Sequence, residues 1–238
     1  DPTCIALRAF GNPIAIIATN SPELIIFVDN NFKQIRLPIY LNARFVSILS
    51  QKMALIGDQS IAFEWNFIDN KCKFAFSSSR PILSLYSNSQ LTFVITTGSV
   101  EAFNRKGKVA SQAISISPDA IIKANQTLKV FLILDKGFII TLHFADNQFI
   151  RRPAITVPSD IRDFCSCDSK IFGIFDSTDG KHHFLRIFER EWSNPVDIPF
   201  LKTICSCESH AVAAGERFAV IFTNIPDIYN EMDQHIVD

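Results

Sequence analysis

The sequence has little glycine, almost no net charge and no long apolar run. Its 238 residues include 8 glycines, and it contains neither a Gly-rich phosphate loop nor an HExxH motif. A formal net charge of -1 at pH 7 gives no general attraction to nucleic acid or anionic lipid. The apolar run at 130–134 ends at Asp135, whereas a helix needs about 18 apolar residues to span a bilayer. These absences predict no cofactor, no nucleic-acid partner and no membrane partner.

The residues that are abundant in the sequence favour short strands. Phenylalanine occurs 22 times and hydrophobic residues make up 47% of the chain, which favours strands and a sizeable core. Near-alternating apolar stretches bounded by Gly, Pro, Asn or Ser are typical of half-buried strands. The best helical spacing is in the tail at 226–238, so the chain before it is predicted to be all-β. The strand-like stretches are 73–79, 99–104, 113–117 and 154–158.

A unit of about 40 residues recurs along the chain. Each unit has an aromatic residue that closes a strand, and successive aromatics are 34 to 44 residues apart. A glycine in a polar turn precedes five of them, and we expect it to supply the positive φ of a tight hairpin. A proline enters five of the units. The aromatics are Phe27, Trp65, Phe103, Phe144, Phe188 and Phe222; the glycines are Gly57, Gly98, Gly137, Gly180 and Gly215; the prolines are Pro38, Pro81, Pro118, Pro158 and Pro199.

Six such units match the blades of a β-propeller in size. A single blade cannot bury both faces of its sheet, so apolar residues on both faces indicate that neighbouring blades stack. The prediction is a β-propeller of about six short blades over residues 1–224, with a C-terminal tail at 225–238 that ends without a cap, as before a further domain. An incomplete seven-bladed ring is the alternative. A two-sheet sandwich is disfavoured because it does not require the turn and the aromatic to recur in step.

The run NPVDIPFLKTICSCESHAVAAGERFAVIF at 194–222 resembles a repeat of the regulator of chromosome condensation family. It has a Pro-Val-x-hydrophobic-Pro entry, an apolar strand, a small-residue turn with His210, a glycine turn and a last strand that ends in an aromatic. The segment 155–188 has the same pattern with a lysine in the histidine position. Two earlier segments, 45–65 and 82–107, match it more loosely.

This resemblance carries its own expectations. It implies a β-propeller, usually of seven blades, whereas six units can be counted in this chain. Relatives serve as docking platforms within larger chains and are sometimes followed by a BTB domain. The founding member is a guanine-nucleotide exchange factor for the small GTPase Ran, and exchange requires a protruding wedge that the short linkers of this chain do not obviously supply.

Two Cys-Ser-Cys motifs lie 40 residues apart, at the same place in consecutive units. Four thiolates would suffice for a tetrahedral zinc site at Cys165, Cys167, Cys205 and Cys207. Zinc sites more often use two-residue spacers, so buried thiols that pack as small apolar groups are the preferred interpretation and zinc is the weaker alternative. Six cysteines in a sequence that opens without a secretory signal predict reduced thiols. An intracellular, cytoplasmic location is expected, with the nucleus as the alternative.

The remaining candidates for catalysis or metal binding are the histidines and the acidic residues in predicted turns. His182 and His183 are adjacent on a predicted strand, so their rings should point to opposite faces, which suits a shared metal poorly. His210 could partner Glu208 or Asp168, but no serine lies in a nucleophile elbow, so a histidine that braces its turn is the preferred interpretation. Acidic residues in hairpin turns usually stabilise the turn and are less often catalytic. No catalytic, cofactor-binding or metal-binding residue is therefore assigned. The turn acids are Asp58, Asp135 and Asp179.

The predicted function is a non-catalytic protein-protein interaction scaffold. Rigid blades suit docking, and the partner is expected to be another protein held by loops on one face of the propeller. The alternative, taken from the family resemblance, is nucleotide exchange on a Ran-type small GTPase. An enzyme that uses an axial cavity is disfavoured because no cluster of acids or histidines recurs at equivalent positions.

Overall fold

The protein is an all-β chain built from small antiparallel sheets, the architecture of a β-propeller. Every regular element of the described residues is a strand. Within that part of the chain, no helix has the length and apolar character needed to cross a membrane. The computed structural model describes residues 2–10, 12–19, 21–29, 31–125, 127–158, 161–167, 170–177, 183–198, 201–207, 210–215 and 219–223.

The first compact unit spans residues 1–118 together with 147–149. It contains three four-stranded sheets in which each strand pairs with the next along the chain. The first sheet consists of β1 (Pro2–Phe10), β2 (Asn12–Thr19), β3 (Glu23–Val28) and β4 (Asn31–Arg36). The second consists of β5 (Phe45–Ile48), β6 (Met53–Gly57), β7 (Ile61–Asn66) and β8 (Lys71–Ser77). The third consists of β9 (Ile82–Ser87), β10 (Thr92–Thr96), β11 (Ser99–Asn104) and β12 (Gly107–Ala113).

The second compact unit spans residues 119–146 and 150–238. Its sheets also follow chain order, except that the short fifth strand of the fourth sheet pairs with the third strand of that sheet. The sixth sheet has three strands in the described residues. The fourth sheet consists of β13 (Ile121–Ala124), β14 (Val130–Asp135), β15 (Phe138–Ala145), β16 (Gln148–Arg151) and β17 (Ile155–Thr156). The fifth consists of β18 (Ile161–Cys167), β19 (Lys170–Asp176), β20 (His183–Phe188) and β21 (Val196–Asp197). The sixth consists of β22 (Leu201–Cys207), β23 (His210–Gly215) and β24 (Ala219–Thr223).

Within a sheet, burial decreases from the second strand to the fourth, and this holds in several sheets. The second strand buries consecutive residues, so both of its faces are covered, as in β6, β10 and β19. The fourth strand is largely exposed, as in β4 and β8. Consecutive buried residues cannot belong to a sheet that is packed on one face only. Burial on both faces, expected from the apolar pattern, is therefore confirmed.

The recurring aromatic occupies one structural position. All six of these residues lie on the third strand of their sheet, namely β3, β7, β11, β15, β20 and β24. Their burial differs, however, because Trp65 is fully buried whereas Phe103 is only partly buried. The repeated position therefore does not by itself determine burial, and Trp65 is the core aromatic of the two.

The expected role of the turn glycines is correct at Gly137 and wrong at Gly57 and Gly98. Gly180 lies outside the described residues, and the role of Gly215 stays a prediction. Gly137 has a φ of 80° between β14 and β15, which is the left-handed conformation that favours glycine. Gly57 and Gly98 do not have positive φ. A Cβ at Gly57 would lie 2.8 Å from the Ile61 carbonyl oxygen, and one at Gly98 would overlap the Arg80 guanidinium. Close approach of other groups, not backbone handedness, explains glycine at these two turns.

Most sequence predictions of the fold are confirmed. The chain is all-β, its sheets are those of a propeller, and six sheets are found among the described residues. The strand predicted at 113–117 is wrong beyond Ala113, where β12 ends. The tail at 225–238 lies outside the described residues, so a helix or a further domain there stays a prediction. The choice between a ring of six blades and an incomplete seven-bladed ring also stays open.

Candidate functional site

A groove of about 750 Å³ lies in the first unit, between the sheet of β5–β8 and the sheet of β9–β12. Its rim is formed by turns at one end of the strands: residues 49–50 leave β5, residues 88–91 join β9 to β10, and residues 104–107 join β11 to β12. Its wall includes four consecutive residues of β8, numbers 73–76. The groove is therefore bounded by loops of one face and by the outer strand of a blade.

Aromatic rings line the groove. Phe76 stacks on Phe103 with ring centroids 6.0 Å apart and planes 7° from parallel. Phe74 meets Phe63 edge-on at 6.0 Å and keeps 56% of its surface exposed. Leu91 contributes an aliphatic side chain from the rim. An exposed ring beside half-buried rings is typical of a surface that gains apolar contacts on binding.

The charge at the groove is mainly positive. Lys73, Arg105 and Lys106 line it, and Glu64 is the one acidic residue among its described lining residues. No ion pair to another described residue is found for any of the three basic side chains. By contrast, Lys108 just outside the groove pairs with Glu101 at 2.9 Å. Three cations facing one carboxylate give a local positive potential in a chain whose net charge is close to zero.

Side-chain hydrogen bonds hold the rim turns in place. The Asn88 side-chain oxygen accepts hydrogen bonds from the backbone N–H groups of Gln90 at 2.9 Å and Leu91 at 2.8 Å. The Asn104 side-chain oxygen accepts one from the Lys106 N–H at 2.8 Å. Gly107 closes that turn with a φ of 133°. Asn oxygens that bond the backbone two and three residues ahead fix a turn locally, so the rim is preorganised.

The second unit contains a polar cluster centred on Asp163. Its Oδ1 lies 2.8 Å from the Lys123 Nζ and accepts a hydrogen bond from the Phe164 N–H at 3.0 Å. Its Oδ2 accepts hydrogen bonds from the Thr203 hydroxyl at 2.6 Å and from the Ile204 N–H at 2.9 Å. Lys123, Asp163 and Thr203 lie on β13, β18 and β22, the first strands of three consecutive sheets. The carboxylate therefore joins three blades.

The environment of Asp163 keeps its carboxylate charged. Burial opposes ionisation, but hydrogen bonds from Lys123, Thr203 and Ile204 outweigh that effect and hold the pKa of Asp163 below its usual value. A carboxylate that accepts four hydrogen bonds or ion-pair contacts has few lone pairs left for a substrate. The cluster is consequently a structural connection between blades.

The two Cys-Ser-Cys motifs are structural repeats. Cys165 faces Phe172 across β18 and β19, and Cys205 faces Val212 across β22 and β23. Each first strand has a register irregularity just before the motif, between 161 and 163 and between 201 and 203. The same position in consecutive blades explains why the motif occurs twice.

The thiols differ in exposure. Cys165 and Cys167 are buried, whereas Cys205 is exposed, and the side chain of Cys207 lies outside the described residues. Burial raises the pKa of Cys165, with smaller contributions from Cys205 and Cys167, which lie nearby. Burial also raises the pKa of Cys72, to about 11. No group of three or more His, Cys, Asp or Glu among the described side chains is placed to hold a metal ion.

We expect purified protein to contain far less than one equivalent of zinc, because burial of Cys165 favours its neutral thiol over the thiolate that zinc requires. Elemental analysis of protein prepared without chelator tests this. Stoichiometric zinc that disappears in the double variant Cys165→Ser, Cys205→Ser would contradict the prediction and support the metal site.

The candidate histidines are placed only in part. His182 and the side chain of His210 lie outside the described residues. His183 begins β20 and is partly buried, with its Nδ1 2.8 Å from the Asp176 Oδ1. The Arg162 Nη1 lies 3.3 Å from the His183 Nε2. Arg162 and Asp176 also form an ion pair at 3.7 Å, so this arrangement is a group of polar side chains at one end of β18–β20.

Asp58 is a turn former, as predicted. Its Oδ1 accepts hydrogen bonds from the N–H groups of Ser60 at 2.7 Å and Ile61 at 2.9 Å. Burial opposes ionisation, but these bonds prevail and lower the pKa of Asp58. Asp135 ends β14 at the turn that Gly137 completes, and Asp179 lies outside the described residues.

Solved structures share the fold of this chain. Kuenenia stuttgartiensis hydrazine synthase matches with a TM-score of 0.64 and 7% sequence identity, covering 92% of this chain and 76% of that one. Kluyvelomyces marxianus Hsv2 matches with a TM-score of 0.57 and 11% identity, covering 88% of this chain and 72% of that one. No family model matches the sequence, and no curated protein does. These similarities support a β-propeller and assign no function, and membership in the regulator of chromosome condensation family is not confirmed.

Proposed function

We propose that this chain is a non-catalytic protein-interaction module and that the groove of the first unit is its docking surface. The observation that carries the proposal is a groove lined by the exposed Phe74 and by the stacked pair Phe76 and Phe103, below a rim of preorganised turns. Rigid turns lower the entropy lost on binding, and exposed aromatics supply the contacts that dominate protein interfaces.

The residues of the groove suit binding better than catalysis. Its described lining has one carboxylate, Glu64, and neither histidine nor cysteine. General acid-base or nucleophilic chemistry needs a second group within hydrogen-bond reach of the first. The basic residues and aromatics present instead favour recognition of a complementary surface.

Selection from a random peptide-display library tests the proposal. Peptides enriched on the intact chain are expected to lose most of their binding to the variant Phe74→Ser, because that ring is the most exposed apolar group of the groove. Tyr40→Ser is the matched control, since Tyr40 is 89% exposed and does not line the groove. Enrichment that is equal on both variants, or absent from the intact chain, would rule out the groove as a docking surface.

The family resemblance implies nucleotide exchange. No contact among the described residues specifically supports that function. An assay of nucleotide release from a Ran-type GTPase separates the two functions. Accelerated release at micromolar concentrations of this chain would overturn the assignment of a simple docking module.

A further inference from the structure

We infer that the groove binds an extended acidic peptide that carries a large apolar side chain. This inference rests on the proposed function and specifies the partner. It is drawn from three features of one groove: an unpaired strand edge, three basic side chains, and aromatic rings on the two faces of that strand.

The first feature is the edge of β8. Among the described strands β8 pairs with β7 alone, because it is the last strand in the order β5-β6-β7-β8. Its residues 73–76 line the groove, and the pairing with β7 has a register irregularity between Phe74 and Phe76. The outward backbone N–H and C=O groups of such a strand pair readily with an added strand. Four residues of strand extend about 13 Å, so a short extended peptide fits beside them.

The second feature is the charge. Lys73 projects from β8 itself, and Arg105 and Lys106 project from the turn across the groove. All three are exposed, and Glu64, directly across the ladder from Lys73, is the single opposing charge. A peptide held between these basic groups meets positive potential from two sides, so acidic side chains are favoured and basic ones are repelled.

The third feature is the aromatic surface on the two faces of β8. Phe74 is exposed at the strand edge and packs on its partner Phe63, whereas Phe76, stacked on Phe103, lies on the other face together with Lys73. Successive side chains of an extended peptide point in opposite directions. A peptide strand beside β8 can therefore point acidic side chains toward the basic groups on one face and alternating Phe or Leu side chains toward Phe74 on the other, which makes alternation of acidic and apolar residues the expected partner pattern.

Fluorescence anisotropy with defined peptides tests this pattern on the full chain. The probe is a short labelled peptide that alternates Glu with Phe and Leu. One matched peptide replaces every Glu by Lys, and another replaces Phe and Leu by Ser. We expect the first probe to bind more tightly than either matched peptide by about tenfold or more, with an affinity that falls as salt screens the charges.

Paired protein variants localise the binding. Arg105→Glu combined with Lys106→Glu should weaken the Glu-rich probe about tenfold and improve the Lys-rich one. Lys33→Glu reverses the charge of an exposed residue on β4 outside the groove, and it should change the affinity of neither peptide. Circular dichroism and thermal unfolding confirm that each variant is folded before its binding is compared.

The outcomes separate this inference from the proposed function. Groove-dependent binding of the Lys-rich peptide with equal or higher affinity would overturn the acidic partner and leave the docking surface intact. A labelled oligothymidylate that binds more tightly than every peptide, and is lost in the same variants, would overturn the peptide in favour of single-stranded nucleic acid. No groove-dependent binding of the Glu-rich probe overturns the inference, and the proposed function fails with it only if library selection also yields nothing.

Discussion

Replacing Trp65 by Ala is expected to lower the free energy of unfolding by about 3–5 kcal/mol. Trp65 is fully buried on β7, in a cluster with Ile26, Val46 and Ile56. Its indole N–H also donates a hydrogen bond to the Asn70 side-chain oxygen at 3.1 Å. Truncation removes the ring from this cluster, leaves a cavity and orphans that acceptor. Urea denaturation followed by far-UV circular dichroism measures the change.

Phe103→Ala is the matched control, because Phe103 holds the same position on β11 but is partly buried. It should cost clearly less than Trp65→Ala, since a ring already in contact with water loses less transfer free energy. A loss in Phe103→Ala as large as that in Trp65→Ala would show that position in the repeat, not burial, determines the contribution of these aromatics.

The repeat could be predicted from the sequence because the same strand of each sheet carries an aromatic residue at a regular interval. Phe27, Trp65 and Phe103 mark the third strand of successive sheets, and their spacing gave the blade length. Burial at those positions could not be predicted, because it depends on the neighbouring blade and not on the strand itself. The same reason explains Gly57 and Gly98, which are required by close neighbours from other segments.

The groove could not be predicted from the sequence for a similar reason. Its walls come from two blades, so Lys73 and Arg105 are far apart in sequence and share no motif. The Asp163 cluster did leave a signal that was missed: Lys123, Asp163 and Thr203 are spaced by 40 residues, the length of the repeat. Polar residues at equal intervals on apolar first strands predict contacts between blades, because equivalent strands of stacked repeats are neighbours.

The Asp163 cluster is expected to contribute as much to stability as a core side chain. Asp163→Ala should lower the free energy of unfolding by about 3 kcal/mol, because a buried charge partner is removed and the N–H groups of Phe164 and Ile204 lose their acceptor. Lys123 is partly exposed and can turn to water, which limits the cost. Asp197→Ala, an exposed position on β21, should change the free energy by no more than about 0.5 kcal/mol.

The pH dependence of unfolding distinguishes the charge of Asp163 from its shape. Because the folded pKa of Asp163 lies below its usual value, its stabilising contribution is fully present above about pH 4, the ordinary carboxyl range. That contribution is lost as the pH falls through the folded pKa. Asp163→Asn keeps the shape but cannot ionise, so its free energy of unfolding should fall less steeply between about pH 4 and pH 2 than that of the unaltered chain. Parallel acid limbs for the two proteins would mean that the pKa of Asp163 is the same in the folded and unfolded states, and would contradict a stabilising role of its charge.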